Sequence, residues 1–232
     1  MITIRKSNER GHANHGWLDS FHTFSFANYY DPSHMGFSVL KVINEDKIDA
    51  GTGFGTHPHQ DMEIITYVIE GALYHEDSMG NSTVIRPGEV QRMSAGTGIR
   101  HSEHNFEKNG KTHLFQIWIL PEKKGITPSY DQKSFIEAFA ASDFILVASR
   151  DGKDNSVSLN QDVEMYIMKA HGAGERSYQN PKKRNLWIQV VRGSLAVNNQ
   201  ATFAGDGVAI SDLEHVELLW SANTEFILFD LP

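Results

Sequence analysis

Residues 67–73 read Tyr-Val-Ile-Glu-Gly-Ala-Leu and residues 189–195 read Gln-Val-Val-Arg-Gly-Ser-Leu, so that Gly71 in the first stretch corresponds to Gly193 in the second. Two further pairs follow in the same order, namely residues 86–94 with 203–211 and residues 115–121 with 226–232. Each match is weak, but three matches in one order indicate an internal repeat. We therefore predict two copies of one β-barrel unit, divided near residues 130–150.

Short apolar runs recur along the chain, rich in β-branched and aromatic residues and bounded by Gly, Asn, Asp or Pro. This pattern predicts strands at hairpin spacing, and hence an all-β barrel or sandwich. The runs are Phe37–Ile43, Ile64–Ile69, Leu114–Leu120, Phe144–Val147, Met165–Met168, Leu186–Val191, Leu195–Val197, Val208–Ile210, Val216–Trp220 and Phe226–Phe229. One segment, Gln132–Ala141, has a helical pattern, and we predict a short connecting helix there.

Composition narrows the class of protein. The 232 residues carry 21 Lys and Arg against 29 Asp and Glu, a formal charge of -8, and there is no Cys. An acidic surface disfavours direct nucleic-acid binding, and the one dense basic run, residues 182–184, is expected to be a solvated turn. The absence of Cys excludes disulfides and thiolate metal sites. With no apolar signal core and no membrane-length apolar run, we expect a cytoplasmic protein without membrane contact.

Two pairs of metal-ligand residue types stand out. His57 and His59 are two residues apart, as are His101 and Glu103. On a strand, residues at this spacing project from one face with Cα atoms about 6.6 Å apart, so two imidazoles can converge on one ion. A barrel that brings both strands together would supply three nitrogens and one carboxylate oxygen. The alternative is that these are ordinary surface or core histidines, because isolated His-x-His pairs are common.

Both pairs lie in longer patterns that resemble a known family. Gly51-x5-His57-x-His59-x3-Glu63 resembles the first cupin motif, and Gly98-x2-His101-x3-Asn105 resembles the second. The pairing of the two motifs is similar to that of the pirins, which are bicupins, and within them to the bacterial quercetinase-type proteins. Further agreement comes from residues 11–20, 24–32, 79–81 and 116–119. The resemblance implies two tandem cupin barrels, with residues 1–135 carrying the metal site and residues 136–232 lacking one.

The resemblance also bears on which carboxylate binds the ion. Ordinary cupins use the position of Glu63, whereas pirins use the glutamate of the second motif, here Glu103. On that resemblance the predicted ligands are His57, His59, His101 and Glu103. Glu63 is then expected to support the ligands or to be a buried structural acid.

The remaining histidines are given no metal-binding role. Structural roles are expected for three of them, His104 is expected to face away from the site, and the others are isolated in sequence. The three are His12, His15 and His22, and the isolated ones are His34, His75, His113, His171 and His215. When Gly71 is aligned with Gly193, the positions of His57, His59 and Glu63 correspond to Gln179, Pro181 and Asn185 in the second copy. The second barrel is therefore not expected to bind the same ion.

The resemblance implies a quercetin 2,3-dioxygenase that opens the central ring of a flavonol with O2 and releases carbon monoxide. Glu103 is the predicted base, and the cofactor is one divalent ion, with Fe favoured and Mn, Co, Ni, Cu or Zn compatible. Six apolar side chains could line a flat substrate slot or simply pack in the core: Phe24, Phe26, Tyr29, Tyr30, Met35 and Phe37. We expect a monomer. The competing hypotheses are a metal-bearing, redox-sensing regulator that binds a protein partner, and other cupin chemistry.

Overall fold

Strands dominate the computed structural model, which describes residues 1–141 and 144–232 and is 56% strand and 5% helix. In chain order the first strands are β1 (Ile2–Arg5), β2 (Gly11–Asn14), β3 (Leu18–His22), β4 (Leu40–Ile48), β5 (Gly53–His59), β6 (Glu63–Glu70), β7 (Leu73–Asp77), β8 (Ser82–Ile85), β9 (Glu89–Ser94), β10 (Ile99–Asn105), β11 (Thr112–Ile119) and β12 (Ser129–Ser134). After helix α1 (Ile136–Ala141) come β13 (Phe144–Ser149), β14 (Val157–Ser158), β15 (Glu164–Lys169), β16 (Gly174–Gln179), β17 (Asn185–Arg192), β18 (Ser194–Val197), β19 (Gln200–Phe203), β20 (Gly207–Ile210), β21 (His215–Trp220) and β22 (Glu225–Leu231).

Two barrels of similar topology are built from these strands. The first combines a seven-stranded sheet, ordered β12-β9-β6-β11-β4-β3-β2, with the four-stranded sheet β5-β10-β7-β8. The second combines β1-β20-β17-β22-β15-β13-β14 with β16-β21-β18-β19. The predicted all-β bicupin fold is thereby confirmed.

The repeat that predicted this fold has a common physical basis in both halves. Gly71 and Gly193 have φ angles of +77° and +76°, a region that favours glycine. A Cβ on Gly71 would lie 2.9 Å from the Thr112 hydroxyl, and one on Gly193 would lie 2.6 Å from the Thr224 hydroxyl. Each barrel therefore uses the same tight glycine turn, packed against a threonine on a later segment of the same half.

The first strand pairs outside the half to which it belongs by sequence. Ile2–Arg5 adds to the edge of the second barrel, where Ile2 pairs with Ile210 and Arg5 with Gly207. A division into residues 1–135 and 136–232 therefore describes chain order rather than sheet membership for this strand, and the boundary itself stays a prediction.

The connecting helix is shorter than the sequence indicated. Helix α1 begins at Ile136, so the prediction over Gln132–Ala141 is wrong for its first part. The backbone of Gln132 pairs with Gln91 on β9, and its side-chain amide donates to the carbonyl of Val84 at 3.1 Å. These sheet contacts override the local helical pattern.

The two barrels pack on each other through one hydrophobic cluster. Tyr67 and Phe115 from the first barrel belong to the same buried cluster as Met165 and Phe229 from the second. The interior of the second barrel is filled separately by aliphatic and aromatic side chains, including Trp220. Burial of apolar area in these clusters is the main stabilising contribution to the fold. Within the described ranges, no helix has both the length and the apolar character needed to cross a membrane.

Candidate metal centre

The first predicted ligands meet where β5 and β10 pair antiparallel. The register sets His57 directly opposite His101 and His59 opposite Ile99. The imidazole centroids of His57 and His101 are 4.4 Å apart, and each lies 4.8 Å from the centroid of His59. The ligand atoms of these three residues all lie within 4.8 Å of one another, so they can contact one ion.

The hydrogen bonds of these rings leave nitrogen atoms free at the point of convergence. His57 Nδ1 donates to the carbonyl of Gly55 at 2.8 Å, which leaves the lone pair on Nε2. His59 Nε2 and His101 Nε2 are buried and have no hydrogen-bond partner within the described residues. Buried polar atoms without partners cost about 1–3 kcal/mol each, so a donor set of this kind fits a bound cation.

Burial also favours the protonation state that binds metal. It lowers the pKa of His59 to about 4 and that of His101 to about 3, with further lowering from the charges of neighbouring histidines. Both rings are therefore neutral near pH 7. Neutral imidazole is the form that coordinates a metal ion.

Glu103 lies beside His101 but not inside the histidine trio. Its Oε2 accepts a hydrogen bond from Gln116 Nε2 at 2.8 Å, while its Oε1 is buried and has no partner among the described residues. The carboxylate forms a second trio, again within 4.8 Å, with His101 and His75. The two trios share His101. The β5–β10 register shifts between His101 and Glu103, at the point where the two ligand types meet.

His75, which is isolated in the sequence and is predicted to have no metal-binding role, belongs to the second trio. It is fully buried on β7 directly opposite Glu103, and its Nδ1 lies 3.5 Å from His101 Nδ1. Its Nε2 lies 3.2 Å from Asp77 Oδ2. His75 and Asp77 are two residues apart, the same spacing that singled out the other pairs, so the signal was present in the sequence.

Glu63 is fully buried and accepts hydrogen bonds from both halves of the chain, which agrees with one of the two roles predicted for it, that of a buried structural acid. Its Oε2 accepts from the Ser94 hydroxyl at 2.9 Å and from the Asn160 backbone N–H at 3.2 Å. The Asn160 side-chain amide donates to both carboxylate oxygens at 3.3 Å. Because Asn160 belongs to the second half of the chain, Glu63 joins the two barrels.

A cavity of about 770 Å³ opens beside the trio and is bordered by His57, His59 and Glu103. Trp118 also borders the cavity, with its ring 4.9 Å from the His59 ring, and Phe26 packs edge-on against Trp118 at 5.3 Å. Of the six apolar residues considered for a substrate slot, Phe26 and Tyr29 line the cavity. Phe24 and Phe37 pack against Trp187 instead, so they serve the core.

Three histidines that were expected to be structural, His12, His15 and His22, also border the cavity. His22 is buried and its Nδ1 lies 2.9 Å from Asn44 Oδ1. Burial lowers the pKa of His22. Nearby Asp46 is buried as well, and burial, with the charges of Glu103 and Glu45, raises its pKa to about 7. The cavity therefore contains polar groups besides the predicted ligands.

The corresponding strands of the second barrel carry other residues. β16 pairs with β21 as β5 pairs with β10, and Gln179 stands opposite His215 at the end of that pair. The Gln179 side chain donates to the Ser177 hydroxyl at 3.0 Å. Both trios of ligand residues lie in the first barrel.

Two family models match this chain. One, described as Pirin, covers residues 3–119, and one, described as the quercetinase C-terminal cupin domain, covers residues 146–231. The chain belongs to the pirin family. The predicted family is confirmed, and the repeat detected in the sequence corresponds to the pirin domain and the quercetinase C-terminal domain.

Known relatives extend over the whole of this pirin. It is 53% identical over 232 residues to the quercetin 2,3-dioxygenase of Escherichia coli (strain K12), which covers 100% of this chain and 99% of the relative. It is 38% identical over 231 residues to a pirin-like protein of Caulobacter vibrioides, with 99% of each chain covered. The crystal structure of the bacterial pirin YhhW from Escherichia coli in complex with nickel(II) matches it with a TM-score of 0.95 at 52% identity, covering 100% of this chain and 99% of that one.

Proposed function

We propose that this pirin is a metal-dependent quercetin 2,3-dioxygenase in which His57, His59, His101 and Glu103 bind one divalent cation. The observation that carries the proposal is a set of buried ligand atoms, two ring nitrogens and one carboxylate oxygen, that have no partner in the described part of the chain and lie beside an aromatic-lined cavity. The full-length similarity to the dioxygenase of Escherichia coli supports the same function. Flavonols, with O2, are the proposed substrates.

The ligand set suits a cation that keeps room for a substrate. Three neutral imidazoles and one carboxylate leave a divalent ion with a net charge of about +1 and with one or two open positions. Iron is our proposed native ion, and Mn, Co, Ni, Cu or Zn are compatible with the same donors. The nickel(II) complex of the related pirin supports a first-row divalent ion. When bound, such an ion lowers the pKa of a coordinated hydroxyl group.

The protein's own groups prepare the flavonol for oxygen. The Glu103 carboxylate takes the proton of the 3-hydroxyl group, while Gln116 donates to its Oε2 at 2.8 Å and so fixes the orientation of the base. Trp118 and Phe26 present flat apolar surfaces that orient the rings and exclude water. The deprotonated flavonol is electron-rich and reacts with O2, the central ring opens, and carbon monoxide leaves.

The proposal extends to the setting in which the enzyme works. We propose a cytoplasmic monomer that acts on a small molecule and does not bind nucleic acid or membrane directly. The net charge of -8 supports this, because it repels phosphate backbones and anionic lipid surfaces. Light scattering of the protein as it elutes from a size-exclusion column would measure its molar mass in solution. The mass of a dimer would contradict the proposed monomer.

Turnover of quercetin tests the proposed function. Purified protein with measured metal content is mixed with quercetin in air, and loss of the visible absorption band is followed. His57→Ala and Glu103→Gln should abolish turnover, and His57→Ala should also lose metal. His104→Ala is the matched control, since His104 is on the same strand but points away from Glu103 and His101. A metal-loaded wild type that leaves quercetin intact would contradict the dioxygenase and favour the regulatory hypothesis.

A further inference from the structure

A row of polar side chains crosses the wall of the cavity beyond the predicted ligands. On the adjacent strands β3 and β4, Ser20 stands directly opposite Asp46, and His22 stands opposite Asn44. Because alternate residues of a strand share a face, all four project to the same side of the sheet. All four border the cavity.

This row is continuous with the proposed metal centre. Asn44 pairs with Gln116 on the next strand, and Gln116 donates to Glu103. Asp46 lies two residues further along β4, about 7 Å from Asn44. The polar groups therefore lead from Glu103, through Gln116 and Asn44, to Asp46.

The row is buried, yet it has unused hydrogen-bonding capacity. Ser20, His22, Asn44 and Asp46 are 2%, 5%, 3% and 3% exposed. Ser20 donates to Asp46 Oδ1, and within residues 1–141 and 144–232 no other side chain donates to that carboxyl group. A carboxylate offers about four acceptor sites, so Asp46 can accept more bonds from a ligand in the cavity.

Flat aromatic rings form much of the remaining lining, which also includes His12, His15 and Asn28. Trp17 packs edge-on against Phe54 at 5.3 Å, and Phe26 packs edge-on against Trp118 at the same distance. All four rings border the cavity. A slot with aromatic faces and a buried row of polar side chains along one side matches a planar aromatic molecule that carries hydroxyl groups along its rim.

We propose that Ser20 and Asp46 are specificity-determining residues that bind neighbouring hydroxyl groups on the outer ring of a flavonol. The inference rests on the proposed function, because the metal centre would hold the oxygen atoms of the central ring and so direct the outer ring along the polar row. One hydroxyl donates to Asp46 Oδ2 and its neighbour donates to the Ser20 hydroxyl oxygen. A buried site built for hydroxyl groups discriminates against analogues that lack them, because its own polar atoms are then left unpaired.

Two substrates and three variants test this assignment. Quercetin carries two neighbouring hydroxyls on its outer ring and galangin carries none. Asp46→Asn and Ser20→Ala should raise KM for quercetin about tenfold or more, while KM for galangin stays within about twofold and kcat changes little. Asn28→Ala is the control, because Asn28 borders the cavity outside the row and is exposed. Equal changes in KM for both flavonols would overturn the proposal.

Direct binding separates this inference from the proposed function. Trp17 and Trp118 border the cavity, so a bound flavonol should quench tryptophan fluorescence. The quenching by each flavonol is measured on the metal-loaded protein under nitrogen, which excludes O2 and so prevents turnover. Preference for quercetin over galangin, lost in Asp46→Asn, supports the row even if the wild type turns over neither compound. Equal affinities in the wild type overturn it even if turnover is rapid. Ser20→Ala, which keeps the carboxyl group, gives the answer if Asp46→Asn does not fold.

Discussion

Gly53 and Gly55 offer a matched pair of substitutions next to the ligand trio. Both lie on β5 and precede His57. A Cβ on Gly53 would lie 2.2 Å from the Glu103 carbonyl oxygen and 2.5 Å from His104 Cα, whereas a Cβ on Gly55 would have no atom of residues 1–141 or 144–232 within 4 Å. Gly53→Ala therefore changes the spacing between β5 and β10, and Gly55→Ala does not.

The size of the effect follows from these distances. Ordinary contacts begin near 3.4 Å, so β5 and β10 must separate by about 1 Å at Gly53, and both atoms in the way belong to backbone. Overpacking of this kind costs about 1–3 kcal/mol in the free energy of unfolding. A shift of about 1 Å between strands that carry ligands costs about 100-fold in activity, because metal ligands tolerate only about 0.2 Å.

Urea unfolding of the apo-protein measures the loss of stability, and metal titration together with quercetin turnover of the metal-loaded protein measures the loss at the site. Gly53→Ala should unfold at lower urea concentration and bind metal more weakly than the wild type. Gly55→Ala should remain within about 0.5 kcal/mol of the wild type and bind metal normally. Equal metal affinity in the two variants would refute the view that the close approach of β5 to β10 sets the positions of His57 and His101.

Three further predictions concern buried polar groups. Asp46→Asn should become more stable than the wild-type apo-protein as pH rises from 4 to 7. Ionising a carboxyl group whose pKa is raised from 3.8 to about 7 costs the wild-type fold up to about 4 kcal/mol, which pH-dependent unfolding measures. His75→Gln and Asp77→Asn should each weaken metal binding about 10- to 100-fold in a competition titration, since this pair orients His101. Asn160→Ala should lower the free energy of unfolding by about 1.5–3 kcal/mol without changing metal affinity, because Glu63 loses its amide donor.

Each of these predictions has a control and a contrary outcome. Asp212→Asn removes one carboxyl group at an exposed position, and a pH dependence equal to that of Asp46→Asn would contradict the effect of burial. His113→Gln breaks a histidine–carboxylate pair with Glu45. If His113→Gln lost as much metal affinity as His75→Gln, a specific role for His75 would be contradicted. Weaker metal binding in Asn160→Ala would contradict a purely structural Glu63.

Side-chain alternation and glycine turns, which depend on local sequence, predicted the parts of the site that lie on a single strand. Alternation along a strand determines that His57 and His59 share a face, and the glycine turns at Gly71 and Gly193 mark the repeat because few other residues fit there. The sequence pattern could not supply strand order. His75 lies opposite Glu103 only because β7 pairs with β10.

The features that the sequence pattern did not predict arise from contacts between distant segments of the chain. The orientation of Glu63 depends on Asn160 in the other half of the chain, and Ile2–Arg5 joins the second barrel through β20. The helix begins at Ile136 because the preceding residues pair with β9. In each case long-range hydrogen bonds decide the structure, and neither periodicity nor residue preference carries information about them.

The two barrels differ in the side chains that fill them, and this difference indicates what the second barrel, which lacks the predicted ligands, contributes to the site. The second barrel is packed with apolar side chains, and its unpartnered buried atoms among the described residues include two indole nitrogens, of Trp187 and Trp220. The first barrel instead contains metal-ligand atoms of His59, His101 and Glu103 that are buried and lack partners in the part of the chain that the structure describes. Unpartnered atoms of this kind lower the stability of the first barrel by about 1–3 kcal/mol each until a cation binds them. The hydrophobic cluster shared by both barrels offsets this cost, because it buries one wall of the first barrel against the second. The second barrel thus contributes to the site by stabilising a first barrel that holds polar groups ready for a metal ion.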